Sequence, residues 1–188
     1  MTAFRMSRRG FAAGALASTG VLAACGNGVG SRGSVTIDAR VQSTLDEMFR
    51  RYPNTQQLAN RSSGLLVMPL VTEAGLGFGG AYGRGALMVN DATVDYYSLV
   101  KGSGGFQIGA QQFAHVLFFT TQESLTEFRR APGWAAGADL EYVISDKGEG
   151  ATADTITTLS PVLAAVFARA GLRVGATLEG TKYTRIIP

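Results

Sequence analysis

The hydrophobic pattern opens with helical spacing and changes to strand-like alternation at Gly64. Val41, Leu45, Met48, Phe49 and Tyr52 make one apolar stripe, with Asp46, Glu47, Arg50 and Arg51 on the opposite side. The spacing predicts an amphipathic helix that Asp38 caps and Pro53 ends. Its stripe reads as core packing against a sheet rather than a membrane-surface face, because the acids offset the basic residues. Asn54 to Asn60 predicts a second, short helix. From Gly64 the pattern is near-continuously apolar. Val67, Val71 and their Leu and Met neighbours predict a buried strand, and Pro69, which removes a ladder donor, predicts an edge or a bulge.

The strand then runs into glycine. Gly75, Gly77 and Gly79 alternate with Leu76 and Phe78, so an extended backbone carries side chains on one face and bare main chain on the other. Such a face invites close approach by another backbone or a ligand. Gly79-Gly80 breaks the alternation and predicts a bulge or tight bend in a strongly curved sheet. Gly75, Gly77 and Gly80 also form a GxGxxG with Asp95 about 20 residues beyond, the spacing of a dinucleotide fingerprint. That chemistry needs a helix starting at the third glycine, and AYGRGALMV, with two more glycines and a β-like tail, cannot supply one.

Further on, Asn90-Asp91 is a turn signal. ATVDYYSLV, FQIGAQQ and FAHVLFFTT read as strands, the first ending at a KGSGG turn. Thr121 to Ser124 opens a helix with Leu125 and Phe128 inward, stopped by Pro132-Gly133. Asp139 to Ser145 is a strand with both acids on its wet face. The last third carries a conflict. Ser160-Pro161, VLAAVFARA and Gly171 supply the N-cap, N1 proline and C′ glycine of a helix, beside RVGATLEG and KYTRII, which look like strands.

The N-terminus changes how the charge is read. Arg8 and Arg9 precede a mildly apolar run of 14 residues, too short to span a bilayer, that ends in LAAC. The run resembles a bacterial lipobox, in which Cys25 is diacylated and becomes the first mature residue, and the arginine pair resembles a twin-arginine export signal. The Sec route remains open, since the match lapses at Ala12 and Ala13. The chain holds 17 Lys+Arg and 14 Asp+Glu, but three arginines and no acid precede Cys25, so the mature part is formally neutral. The pI of about 9.2 therefore gives no warrant for a nucleic-acid surface. Gly26 to Thr36 reads as a flexible tether with an r.m.s. span of about 18 Å. The expected organisation is a signal peptide over 1–24, a lipidated cysteine and tether over 25–37, and one domain over 38–188.

Catalytic motifs are missing: there is no GxSxG, no Cys/His metal spacing and no P-loop. No cofactor or metal is expected. His115, the only histidine, sits on an apolar strand face and reads as a hydrogen-bonded structural residue. Asp139 with Glu141, or Asp146 with Glu149, are the carboxylate pairs a hydrolase would use, and nothing distinguishes them from solvated surface.

Four segments together, GLLVMPLVTEAGLGFGGAYGRGALMV, YYSLVKGSGGFQIGAQ, VLFFTTQESLTEF and FARAGLRVGATLEGTKY, resemble in order the motifs of the SYLF domain family, over roughly Ala39 to Ile186. The family occurs in eukaryotic endocytic proteins, where it binds phosphoinositides and actin filaments, and in bacteria as secreted lipoproteins without an established reaction. The resemblance implies a β hairpin over FARAGLRVGATLEG with its turn at Ala168 to Gly171, and a lipid-binding element at the domain's N-terminal end. Asp46 and Glu47 dilute the basic face there, so phosphoinositide affinity does not carry over, and actin has no partner in a bacterial envelope. The expected fold is α+β, a curved, mostly antiparallel glycine-rich sheet with two or three packed helices, for which 46% hydrophobic residues supply an ample core. The expected function is non-enzymatic: a lipoprotein facing the periplasm, on the outer rather than the inner membrane, that binds membrane lipid through headgroup or acyl chain. Arg40, Arg50, Arg51, Gly75, Gly77, Gly79, Tyr82, Arg84 and Lys101 are the candidate lipid-binding residues. An envelope assembly role and a hydrolase using Asp139, Glu141 or His115 are the alternatives.

Overall fold

A computed structural model describes residues 32–137, 140–144, 160–170 and 177–188. Within its strands the side chains of residues 76–78, 103–109, 144, 169 and 170 lie outside the description. Helices α1 (Gly33–Arg51) and α2 (Asn54–Arg61) lead into a long hairpin of β1 (Gly64–Val89) and β2 (Ala92–Phe119). Helix α3 (Gln122–Arg130) and four shorter strands follow: β3 (Trp134–Ala135), β4 (Glu141–Ile144), β5 (Val162–Ala170) and β6 (Lys182–Ile186).

Strand β2 is the spine. Along one edge it pairs with β1 from Gly64↔Phe119 to Val89↔Ala92, and along the other with β6 at Tyr96 to Val100 and with β5 at Gln112 to Phe119. β3 continues the sheet beyond β6, and β4 joins β5 in parallel. The fold is α+β with a mostly antiparallel sheet, as the sequence predicts. Asn90 and Asp91, at φ 49° and 63°, close the hairpin; both being left-handed is the signature of a type I′ turn, whose twist matches the strands it joins.

The hairpin curls back upon itself. Register shifts between Met68 and Val71, Leu76 and Phe78, and Leu87 and Met88 bend it, the first placing Pro69 in a bulge on a strand that pairs only with β2. As a result its tip crosses its base. A Cβ built on Gly85 would collide with the Val67 carbonyl oxygen and lie 2.6 Å from Met68 Sδ, and one on Gly83 would lie 2.9 Å from the Leu70 carbonyl oxygen. Close approach by main chain is found at Gly83 and Gly85, whereas the space beside Gly75, Gly77 and Gly79, where the sequence expects it, lies outside the description. The bulge expected at Gly79-Gly80 falls instead between Leu76 and Phe78.

Both faces of the sheet are covered, which explains its near-continuous apolar runs. Ile37, Val41, Leu45 and Met48 of α1 pack with Val67, Val116, Phe118 and Phe167 on one face. Leu125 and Phe128 of α3 pack with Leu66, Leu117, Phe119 and Tyr183 on the other. The α1 stripe is therefore core, as expected. α3 starts where its sequence says, the Thr121 hydroxyl accepting from the Ser124 amide at 3.1 Å.

Local signals fail at three places. α1 begins at Gly33, inside the expected tether, so the domain starts before residue 38 and Asp38 is no cap. Its carboxylate instead accepts from Thr93 Oγ1 at 3.0 Å and from the Tyr96 hydroxyl at 2.9 Å, and these contacts, with the burial of Ile37, hold a poor helix-forming sequence helical. β2 runs straight through the KGSGG expected to turn. β5 is a strand despite its helical caps, because every side chain from Val162 to Phe167 is buried between the two faces. The strand agrees with the family resemblance, but it continues in the ladder through Ala168 to Ala170, where the resemblance implies the turn begins. In RVGATLEG, residues 173–176 lie outside the description, and Leu178 to Thr181 form a turn through Gly180 at φ 72° rather than a strand.

Candidate functional site

The start of α1 meets the tip-side half of β1 at a cleft of about 420 Å³. Its buried lining is apolar: Ile37 from the first helical turns, Pro69 from the bulge, and Gly83. Absence of a side chain at Gly83 lets the Pro69-Leu70 segment pass beneath Tyr82 and Arg84. The accessible lining is Arg32, Thr36 and Arg40 from α1, Thr72, and Tyr82 with Arg84 from β1. Alternation along β1 turns Tyr82 and Arg84 to the α1 side, while Asp38, bound to Thr93 and Tyr96, fixes the helix over the hairpin tip. Burial first, and then the Asp38 bond and charge, raise the Tyr96 hydroxyl above its ordinary pKa, so it remains a donor to Asp38 at neutral pH.

Three guanidinium groups therefore line one cleft, and no carboxylate is among its described lining residues. α1 starts without a side-chain cap from Arg32 and without an acid in its first turn. Beside the cleft, Tyr82 is 54% exposed and its cross-strand partner Val100 is 56% exposed, a wet aromatic and aliphatic pair. The combination of guanidinium groups, a tyrosine and an exposed aliphatic is what a membrane–water interface accommodates.

The structure brings together Arg40, Tyr82 and Arg84 of the sequence candidates and adds Arg32, which was missed because it falls in the expected tether. Arg50 and Arg51 stand at the other end of α1, on the order of 15 Å along its axis from Arg40. There Arg51 pairs with Glu47 at 3.2 Å and lies 5.4 Å over the Tyr52 ring. Lys101 donates to the Thr177 carbonyl at 2.6 Å, away from the cleft lining. Gly75 and Gly79 sit in the ladder opposite Gly109 and Ser103, and the surroundings of Gly77 lie outside the description. Cys25, Arg8 and Arg9 also lie outside it.

His115 is fully buried. Its Nε2 pairs with the Tyr183 hydroxyl at 2.9 Å, its ring lies against Phe113 and Tyr183, and burial alone holds its pKa down at about 3. It is a neutral core residue, as the sequence reading has it. Glu141 is exposed on β4, so the two do not share a cleft; Asp139, Asp146 and Glu149 lie outside the description. Among the described residues no group of three or more His, Cys, Asp or Glu is placed to hold a metal, and no described helix is long and apolar enough to cross a membrane. Glu73 is buried in β1, where its carboxylate accepts from Gln111 Nε2 at 2.7 Å.

The fold is thus a curled antiparallel sheet around a glycine-bent hairpin, with a cleft lined by three arginines between α1 and β1. Residues 100–185 match the family model Ysc84, described as "Las17-binding protein actin regulator", and this segment, from the second half of β2 to β6, belongs to the SYLF-domain family. That description names binding and regulation and no reaction. No curated protein matches the chain. The cleft residues all precede the matched segment, so the cleft belongs to the part of the domain that the match does not cover.

Proposed function

We propose that this protein is a membrane-anchored lipoprotein whose SYLF-type domain binds lipid at the bacterial envelope. Cys25 in LAAC is the acylation site, and Arg8 and Arg9 belong to the export signal. The observation that carries the reading is the cleft of Arg32, Arg40, Tyr82 and Arg84 at the very start of α1. Arg32 is only seven positions beyond Cys25, and seven residue steps span at most about 25 Å. A domain acylated at Cys25 therefore has its cleft held within headgroup reach. The reading is non-enzymatic, with neither actin nor nucleic acid as a partner, and sets the domain on the periplasmic side of the outer membrane. Liposome flotation of a soluble Cys25→Ser form tests it. Co-flotation with anionic or neutral vesicles is expected, and absence of flotation with every vesicle composition overturns it.

A further inference from the structure

Resting on the lipid-binding reading of the cleft, we infer that the first two turns of α1, residues 33–40, are a latch that opens apart from the rest of the helix, and that lipid held in the cleft keeps it shut and the tether short. Local sequence does little to keep these turns helical. They open with Gly33 and Ser34, continue through the β-branched run Val35, Thr36 and Ile37, and then reach Asp38, all weak helix formers. No side-chain cap from Arg32 and no acid in the first turn supports them. Packing divides the helix at the same place. Within 33–40 Ile37 is the buried side chain and Val35 is 67% exposed, whereas 41–48 bury Val41, Thr44, Leu45 and Met48.

Ile37 and a polar cluster at the hairpin tip hold the two turns down. Asp38 accepts from Thr93 Oγ1 at 3.0 Å and from the Tyr96 hydroxyl at 2.9 Å, and the Ser34 side chain hydrogen-bonds to that same hydroxyl. A segment with so little buried surface opens at a lower free energy than the core it adjoins. Opening has two consequences that are tied together. Arg32, Thr36, Ile37 and Arg40 form the helical wall of the cleft, so the cleft exists only while the turns are closed. Once they open, the chain leaves the domain at Val41 in place of Gly33, and the freed segment, about 12 Å long as helix, spans up to about 27 Å when extended. A ligand that binds only the closed form shifts the balance towards it. Lipid in the cleft therefore draws the domain to the membrane surface, and an empty cleft lets it range farther.

Residue-resolved amide hydrogen exchange on the soluble Cys25→Ser form, with and without dilute urea, tests the latch. Amides 37–40 are expected to exchange at least about tenfold faster than amides 45–48 and to respond little to urea, since their opening exposes little surface, while 45–48 respond steeply. Asp38→Asn, shown folded by a thermal melt, is expected to lower protection at 37–40 about tenfold by weakening charge-assisted hydrogen bonds. Vesicles of phosphatidylcholine with phosphatidylglycerol, at a concentration that floats the protein, are expected to raise protection at 37–40 at least about threefold, because they bind the closed form. Equal protection and equal urea response across 37–40 and 45–48 means that α1 opens as one unit, and it overturns the latch, as does unchanged exchange at 37–40 in folded Asp38→Asn. A protein that floats while 37–40 gain no protection overturns the coupling and leaves the lipid reading standing. Failure to float with any vesicle sinks the lipid reading and the coupling together.

Discussion

Replacing Gly85 by alanine tests the curl of the sheet. The added methyl carbon would collide with the Val67 carbonyl oxygen, with Met68 Sδ at 2.6 Å and the Val67 carbonyl carbon at 2.9 Å. Met68 can rotate, but Val67 is fixed in the ladder opposite Val116, so relief requires the two halves of the hairpin to part. Overpacking commonly costs roughly 1–3 kcal/mol, and a clash with paired backbone belongs at or above the top of that range. At about 3 kcal/mol, a domain of this size would lose on the order of 10 °C in Tm. The other glycines calibrate the effect, since none of those compared has a left-handed φ. Gly83→Ala meets the Leu70 carbonyl oxygen at 2.9 Å and should cost about 1–2 kcal/mol. Gly102→Ala meets nothing within 4 Å and should gain about 0.5 kcal/mol by restricting the unfolded chain. Urea melts of the soluble form give the three values. If Gly85→Ala is as stable as Gly102→Ala, the hairpin does not cross itself and the curl is refuted.

His115 predicts an acid-sensitive stability. With its folded pKa near 3 and an unfolded value near 6.5, the unfolded chain binds the extra proton, so stability is full above pH 6.5 and falls by about 1.4 kcal/mol per pH unit towards pH 3; His115→Phe should flatten that part of the profile in urea melts. Asp38→Ala breaks the bonds to Thr93 and Tyr96 and should cost about 1–3 kcal/mol, with Tyr96→Phe adding little on top of it in a double-mutant cycle. Thr121→Ala removes the α3 cap and should cost about 1 kcal/mol in the same assay.

What the sequence made legible was what depends on near neighbours. The α1 stripe from Val41, the Asn90-Asp91 turn, the α3 cap and the Pro69 bulge each follow from a few adjacent residues, and each stands in the structure. Gly83 and Gly85 were hidden because their partners, Val67 and Leu70, reach them only through bends elsewhere in the strand. Gly33 to Ile37 and Val162 to Phe167 were hidden for a related reason: tertiary contacts, the Asp38 bonds with buried Ile37 in the first and burial throughout in the second, override weak or contrary local preference. The site followed the same division. Tyr82, Arg84 and Arg40 were found by residue type, whereas Arg32 required knowing where the helix begins.

The long hairpin also sets the order in which the chain assembles. From its two-residue turn, β1 and β2 can zip together within microseconds, as short hairpins do. The other edge of β2 must wait for β5 and β6, whose residues lie far downstream, and such non-local pairings close slowly. In the interval β2 carries an open, apolar edge from Phe113 to Phe119, a template for pairing with another chain. A chain cut before Val162 would retain that edge permanently, and its expected fate is aggregation in place of a smaller folded domain.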